Sequence, residues 1–240
     1  VVRLGHWSTP ELWWPPEQMT IDDHGGNAIM MFAPIRRCYG HALTDDACDG
    51  EGLGPRPPLN RYVAPQTNVA FAESLAAWRK VFQGDSFDFD YHLMWANWRQ
   101  LTDTVVARTY HQDLQGLKRA GLDGIVSCQS FRNFYPTGLA MTALAESLWD
   151  PSVPWAKLRV RYLEAAFGES AGYVSDYLEA LERILDTGDP HWRTPPFSNA
   201  DAAKLQAAAR FLQASREKLR SWRGSVAEPA HRRSLEILLH

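Results

Sequence analysis

The sequence predicts an α/β fold: the second half of a (β/α)8 barrel of the TIM type, followed by a C-terminal α-helical bundle. Four short apolar runs each end in polar or aromatic residues, and the last two are joined by a helical stretch and a tight turn, which makes those two strands parallel. Only helical patterns follow residue 151. Because four strands cannot close an eight-stranded cylinder, we expect the other four upstream of Val1 in a longer parent chain; a small open sheet is the alternative.

Two apolar runs predict the first two strands. Residues 1–7, VVRLGHW, are followed by a proline-rich stretch that excludes a regular helix. Residues 28–35, AIMMFAPI, are apolar without a break, as expected for a strand covered on both faces. The loop at residues 38–66 is rich in Gly, Pro and Asp, and a loop of this length in a compact domain usually carries a function.

The third strand lies in residues 84–98, GDSFDFDYHLMWANW, and is the centre of the predicted site. Aromatic and polar side chains alternate along this strand, with Phe87, Phe89 and Tyr91 on one face and Asp88, Asp90 and His92 on the other. Successive side chains of a strand point to opposite faces, so the sequence predicts an aromatic face and a polar face. The alternative is an edge strand whose acidic face is solvated. Residues 125–128, IVSC, predict the fourth strand.

Apolar residues at helical spacing predict the helices between the strands. Asn68 is the expected N-cap of the first helix, and Gly84 ends it. Thr102 or Asp103 begins the next helix, which Gly121 ends.

A change of pattern at residue 151 predicts a domain boundary. We expect residues 1–150 to form the C-terminal half of a β/α barrel and residues 151–240 to form a helical domain with about four helices. Pro229 is placed to begin the last helix. The tryptophans on apolar helix stripes are predicted core residues: Trp78, Trp149, Trp155 and Trp222.

Composition excludes several classes of function. The chain of 240 residues has a net charge of -3 and a pI near 6.3, so no basic surface for nucleic acid is expected. There is no run of about 18 apolar residues that would span a membrane. Three cysteines are too few, and odd in number, for a disulfide framework, which favours a reducing compartment. We therefore expect a cytoplasmic protein, with secretion as the alternative.

Polar and aromatic residues follow the end of each predicted strand. They are His6 and Trp7, Arg36 and Arg37, Asp90, Tyr91 and His92, and Gln129 and Arg132. Active sites of parallel barrels are built from residues just past the C-terminal ends of the strands. The sequence therefore predicts that these residues share one concave site.

Four runs of the sequence carry a family resemblance: MMFAPIRRCYGH, GDSFDFDYHLMW, GLDGIVSCQSFRNFYPTGL and LWDPSVPWAKLRVRYLEAAFGE. They resemble a bacterial family of largely uncharacterised proteins whose domain is distantly similar to the barrels of α-glucuronidases and hexosaminidases, and the resemblance spans residues 1–185. It implies a glycoside-hydrolase-like barrel that acts on a carbohydrate. Some related barrels place a Glu at the end of the last strand, where this sequence has Gln129. Because a Gln side chain cannot transfer a proton at neutral pH, an orthodox carboxylate pair is in question.

Asp90 and Asp88 are the candidate catalytic residues. Glycoside hydrolysis uses an acid that protonates the leaving oxygen and a carboxylate that attacks or activates water, about 5–9.5 Å apart. Two residues on one strand face have backbones about 6.6 Å apart, which permits this. Asp90, nearer the strand end, is the preferred acid/base or sugar-binding group, and Asp88 is predicted to be a buried partner of a neighbouring Arg or His. The alternative is a paired carboxylate without a role in the reaction.

The candidate substrate-binding residues are His6, Trp7, Arg36, Arg37, Tyr91, His92, Trp95, Gln129 and Arg132. Either Arg36 or Arg37 can clamp a uronic-acid carboxylate, with an ordinary salt bridge as the alternative. The two histidines can bind hydroxyls or move protons. The tryptophans at this edge suit stacking on the apolar faces of sugar rings.

No metal or cofactor is predicted. Cys38, His41 and Cys48 form a C-x2-H-x6-C pattern without an evident fourth ligand, and residues 22–24 form an Asp-Asp-His run; neither has the spacing of a structural zinc site. The chain lacks the GxGxxG, P-loop and GxSxG motifs. Cys128 ends an apolar strand and is expected to be a buried, inert thiol.

The sequence thus predicts a glycoside-hydrolase-like protein that hydrolyses an O-glycosyl bond by carboxylate acid/base chemistry, with uronic-acid or amino-sugar units as candidates. The alternative is a non-catalytic carbohydrate-binding or scaffold protein on a degenerate barrel. Besides the carbohydrate, the expected partner is the missing N-terminal barrel half in the parent chain or a second copy in a homo-oligomer, because an unclosed half-barrel exposes its sheet edges.

Overall fold

The structure is a computed structural model of the 240-residue chain. It describes residues 4–8, 12–18, 26–35, 37–45, 48, 50–93, 102–128, 136–186 and 202–240, and for residues 4–8 it describes the backbone alone.

Four parallel strands form one sheet. They are β1 (Leu4–Ser8), β2 (Ala28–Phe32), β3 (Ser86–Asp90) and β4 (Gly124–Ser127), and they lie side by side in chain order. In the register, Leu4 pairs with Ala28, Phe32 with Asp88, and Asp90 with Ser127. The four predicted strands and their parallel direction are therefore confirmed.

Helices make up most of the described chain. They are α1 (Asn68–Val81), α2 (Thr104–Gly116), α3 (Leu139–Trp149), α4 (Trp155–Phe167), α5 (Ala171–Leu185), α6 (Ala202–Ser225) and α7 (Pro229–Leu238). Thr67, and not the predicted Asn68, is the N-cap of α1, because the Thr67 hydroxyl accepts a hydrogen bond from the Ala70 N–H at 3.1 Å. Pro229 lies in the first turn of α7 as predicted. Trp149 is 92% exposed at the end of α3, so its prediction as a core residue is wrong.

The prediction of half a (β/α)8 barrel is wrong. The sheet is small and open, with strands of four or five residues and with β1 and β4 at its free edges. Among the described residues, no helix separates β1 from β2 and no strand follows β4, so the alternation of strand and helix is limited to β2, α1, β3, α2 and β4. The small open sheet, which was the alternative from the sequence, is the observed arrangement.

Helices cover one face of this sheet. Met30 and Phe32 of β2 are fully buried and pack with Phe71 and Trp78 of α1. The register places Asp88 on the same face as Phe32, so the acidic side chains of β3 point towards the helices.

The opposite face is more open. Phe87 and Phe89 are half-buried there, and Val126 of β4 is 45% exposed. The acidic face of β3 is therefore the buried one, whereas the predicted barrel would turn it towards an open lumen.

The C-terminal helices form a second apolar core. Leu163 and Phe167 of α4 pack there with residues of α5, α6 and α7, among them Val174, Leu219 and Leu235. Helix α4 also contributes Leu158 to the core that contains α2 and α3. Helix α4 contributes to both cores, so the cores are not separated at residue 151. The predicted domain boundary there stays a prediction.

None of the helices that the structure describes is both long enough and apolar enough to cross a bilayer.

Candidate functional site

Arg37 is the centre of a buried polar network at the carboxyl ends of β2 and β3. Its Nε donates to Oδ2 of Asp90 at 2.9 Å, and its Nη2 donates to Oδ2 of Asp113 on α2. Its Nη1 donates to the main-chain oxygens of Cys38 and His41 at 3.0 and 3.1 Å. Every nitrogen of this guanidinium is engaged inside the protein, so Arg37 has no donor group left to clamp a substrate carboxylate.

Asp90 is saturated with hydrogen bonds. Besides Arg37, the Tyr39 hydroxyl and the Tyr91 N–H both donate to Oδ1 at 2.6 Å. Burial alone raises the pKa of Asp90, but Arg37, His92 and the Tyr39 hydroxyl outweigh it and lower the pKa to about 2. The carboxylate is 0% exposed and ionised at neutral pH.

His92 connects the two carboxylates of the network. Its Nε2 lies 2.6 Å from Oδ2 of Asp113 and 2.8 Å from Nη2 of Arg37. Nε2 would have to accept a hydrogen bond from Arg37, which can only donate, but it would have to donate one to the Asp113 carboxylate, and it cannot do both. A proton on Nε2 that is donated to Asp113 fits the shorter of the two contacts. Its Nδ1 then lies 3.5 Å from Oδ2 of Asp90, and the ring stacks on Tyr110 with centroids 3.9 Å apart.

A metal ion does not fit among Asp90, His92 and Asp113. Their potential ligand atoms are all close together, within 4.8 Å of one another. The Arg37 guanidinium, however, is ion-paired with both carboxylates, at 2.9 Å for Asp90, and therefore already supplies the positive charge at this position.

Asp88 differs from Asp90 although both are on the same face of β3. It is 3% exposed, and its Oδ1 has no hydrogen-bond partner among the described residues. Burial, followed by the charge of Asp90, raises its pKa well above the usual value. Asp88 therefore keeps its proton to a higher pH than Asp90 does.

The geometry of this network fits a structural role better than a catalytic one. Asp88 and Asp90 lie under helix α2, and the Tyr39 hydroxyl and Arg37 separate Asp90 from the surface. The catalytic assignment of Asp90 and Asp88 and the binding assignment of His92 stay predictions that this burial does not favour.

The other predicted site residues are described only in part. Tyr91 is half-buried and makes an edge-to-face contact with Phe89, with ring centroids 5.3 Å apart. His6 and Trp7 lie in β1, in register with Met30 and Met31. The remaining predictions lie outside the described residues: Arg36, Trp95, Gln129 and Arg132.

A pocket of about 1220 Å³ opens beside the network, between the end of β2 and the long loop. Arg37, Cys38 and Tyr39 form its inner wall, and residues from 50–67 form its outer wall. Ligand sites of open parallel sheets lie in this position, outside the carboxyl ends of the strands. The sequence predicted this edge of the sheet and a functional loop at residues 38–66, but it did not predict which strand ends that loop would enclose.

Side-chain contacts hold the outer wall in place. The Thr67 hydroxyl donates to the Glu51 oxygen at 2.6 Å, the Leu53 N–H donates to Glu73 at 2.6 Å, and the Trp14 indole donates to the Gly54 oxygen at 3.2 Å. A Cβ on Gly52 would lie 2.5 Å from the Glu73 carboxylate, so the backbone of the wall lies directly against α1. The wall is therefore positioned before any ligand binds.

Charge in the pocket is concentrated on its outer wall. Arg61 is exposed and makes no ion pair with any described residue. Arg56 pairs with the exposed Glu17 at 3.4 Å. Glu51 is the single carboxylate among the described lining residues. The outer wall thus offers an available cation and one acidic group.

A second cluster shares Cys38 with the inner wall: Cys38, His41 and Cys48 have ligand atoms within 4.8 Å of one another. The Cys38 Sγ is 3.4 Å from the His41 Nδ1. A hydrogen bond from Cys48 lowers the pKa of Cys38 to about 5, against the effect of burial and with help from His41. The C-x2-H-x6-C spacing was the sequence signal for this cluster, but it predicted no metal because it lacks a fourth ligand.

No family model, curated protein or solved structure matches this chain. The resemblance to glycoside-hydrolase-like barrels therefore stays a prediction.

Proposed function

We propose that the protein binds a carbohydrate that carries a carboxylate, such as a uronic-acid saccharide, in the pocket beside Tyr39. The observation that carries this proposal is Arg61, which is exposed in the wall of a preformed pocket at the carboxyl ends of the strands and has no ion pair with any residue that the structure describes. Arginine binds a carboxylate through two parallel hydrogen bonds.

The size and wall of the pocket support this choice of ligand. Its volume of about 1220 Å³ is above the roughly 300–1,000 Å³ that is typical of ligand pockets, which leaves room for more than one sugar ring. Pro55, Pro57, Pro58 and Pro65 give the wall rigid apolar surfaces, and Gln66 adds an amide that can bind hydroxyls.

The geometry favours a protein that binds the carbohydrate without hydrolysing it. Hydrolysis normally requires two carboxyl groups at the sugar, whereas Glu51 is the single one among the described lining residues. Asp90 and Asp88 are buried behind the inner wall. The non-catalytic alternative from the sequence therefore fits better than the hydrolase.

Titration calorimetry with glucuronic acid and glucose tests the proposal, because the two sugars differ only in the carboxylate. We expect glucuronic acid to bind at least about tenfold more tightly than glucose, and Arg61→Ala to remove that preference, since a charged hydrogen bond contributes about 1.5–3 kcal/mol. Arg233→Ala, an exposed arginine on α7, is the matched control and should leave binding unchanged.

Equal affinities for the two sugars, or no binding of either, would contradict the proposal. Unchanged binding by Arg61→Ala would contradict the role of Arg61. Turnover of a nitrophenyl glucuronide by the wild-type chain would contradict binding without hydrolysis.

A further inference from the structure

The loop that carries Cys38 and His41 is fixed by two buried side chains. The Asn68 amide donates to the main-chain oxygens of Cys38, His41 and Ala42 at 3.1, 3.2 and 3.1 Å. Its Oδ1 accepts the Cys38 N–H at 2.9 Å. The Arg37 guanidinium donates to two of the same carbonyls. This tight turn brings the His41 ring back over the Cys38 sulfur.

Cys48 reaches the same point from a separate turn. The Cys48 N–H donates to the Asp45 oxygen at 3.0 Å, and the Asp45 N–H donates to the Ala42 oxygen at 3.1 Å. Cys48 is 1% exposed and Cys38 is 6% exposed. The described turns at residues 37–45 and at Cys48 therefore bring both sulfurs and one imidazole together.

Main-chain donors point at both sulfur atoms. The Gly40 N–H donates to Cys38, and the Asn68 N–H, at the start of α1, donates to Cys48. N–H groups aimed at a sulfur stabilise a thiolate, and hydrogen bonds of this kind orient and tune the ligands of metal sites.

We propose that Cys38, His41 and Cys48 form a zinc site with two thiolates and one imidazole, next to the inner wall of the pocket, which Cys38 lines. The separation of 3.4 Å between the Cys38 Sγ and the His41 Nδ1 is close to the edge of a zinc tetrahedron, which is roughly 3.5 Å for Zn–S near 2.3 Å and Zn–N near 2.0 Å. Two thiolates and a neutral imidazole balance the charge of Zn²⁺.

The ligand set also indicates the kind of zinc site. The described residues supply three protein ligands, which leaves one tetrahedral position for a further ligand, as in zinc sites with an open position. Cys38 lines the pocket, so a metal bound to its sulfur lies beside the space that a pocket ligand occupies. Thiolate and imidazole ligands favour Zn²⁺ over Mg²⁺ or Ca²⁺, which prefer oxygen. This inference does not depend on the proposed carbohydrate.

Cobalt substitution tests the site. The 240-residue chain is purified with reductant, treated with a chelator, exchanged into metal-free buffer and titrated with Co²⁺. We expect the sulfur-to-cobalt charge-transfer absorption and the intense visible bands of tetrahedral cobalt, saturating at one equivalent and removed by one equivalent of Zn²⁺. Cys38→Ser, Cys48→Ser and His41→Asn should each weaken Co²⁺ binding by at least about tenfold.

Cys128→Ser is the matched control, since Cys128 is the remaining cysteine and lies outside the cluster. It should bind Co²⁺ as the wild type does. His41 is half-buried, so His41→Asn tests the site if the cysteine variants do not fold, with circular dichroism as the check.

Three results would overturn the zinc site. The first is that alkylation and mass spectrometry find all three cysteines as free thiols, but Co²⁺ gives no thiolate charge-transfer bands. The second is equal Co²⁺ affinity in the wild type and all three ligand variants. The third is a chain that is purified with a Cys38–Cys48 disulfide and still gives no cobalt band after that disulfide has been reduced.

Discussion

At the scale of single residues, Asp88 and Asp90 lie two positions apart on the same strand face and differ in charge. Asp90 accepts hydrogen bonds from Arg37, Tyr39 and the Tyr91 main chain and stays ionised. No described residue donates to Oδ1 of Asp88, and burial, followed by the charge of Asp90, raises its pKa well above the usual value. Two like charges this close are avoided when one group keeps its proton.

Replacing each aspartate by asparagine distinguishes the roles of Asp88 and Asp90. Asp90→Asn should lower the free energy of unfolding by about 3–5 kcal/mol, because the buried Arg37 loses one of its two carboxylate partners and the Tyr39 hydroxyl loses a charged acceptor. Asp88→Asn should leave the free energy of unfolding at pH 7 unchanged or raise it. The raised pKa means that the folded state holds a proton that the unfolded chain has released, so Asp88 costs stability above its usual pKa.

Urea unfolding of the two variants at pH 7 is the measurement, and each variant is the control for the other. A loss for Asp88→Asn as large as that for Asp90→Asn would mean that Asp88 is ionised in the folded protein, contrary to this assignment.

At the scale of elements, Asp103 connects the starts of two helices. It is the N-cap of α2, with a φ of 51°, and it accepts hydrogen bonds from the Thr137 hydroxyl at 3.0 and 2.9 Å, just before α3. Asp103 is 2% exposed, and burial raises its pKa to about 8 although Thr137 and the Ala140 N–H lower it. The carboxyl group is thus mostly neutral at pH 7.

This pKa predicts a pH-dependent stability. Between pH 4 and pH 8 the unfolded chain has lost the Asp103 proton while the folded chain keeps it, so the free energy of unfolding falls as the pH rises, by up to about 1.4 kcal/mol per pH unit. Asp103→Asn removes the titration and tolerates the left-handed φ. Relative to the wild type, the variant should therefore gain stability from pH 5 to pH 8.

Urea unfolding at pH 5, 6, 7 and 8 measures both profiles. Parallel profiles for the wild type and Asp103→Asn would show that Asp103 titrates normally in the folded state.

Local sequence patterns predicted the positions of the strands and helices better than they predicted which faces of those elements are buried. The four strands and α7 follow from apolar runs, glycines and Pro229, which are signals within a few residues. The covered face of β3 depends on Arg37 and Asp113, which come from the end of β2 and from α2, so the sequence near Asp88 and Asp90 could not reveal it. Asn68 was expected to cap α1, but its amide holds the distant loop instead.

At the scale of the whole molecule, an open parallel sheet places its functional edge under a long loop. The carboxyl ends of β2 and β3 anchor the Arg37 network, and that network fixes the turn that carries the Cys38 cluster. Helix α1 holds the outer wall through Thr67 and Glu73. The barrel prediction failed because strand number and helix coverage depend on the whole chain and not on any single run.

The homo-oligomer expected from the sequence stays a prediction. Phe87, Phe89 and Val126 on the more open face of the sheet are the residues that such a contact would involve.

Hydrogen exchange with mass spectrometry tests most directly whether the pocket between Tyr39 and residues 50–67 binds an acidic sugar. Saturating glucuronic acid should slow amide exchange in peptides from residues 50–67 and leave those from α5 (Ala171–Leu185) unchanged. Exchange that is unchanged in residues 50–67, or slowed only elsewhere in the chain, would contradict the claim.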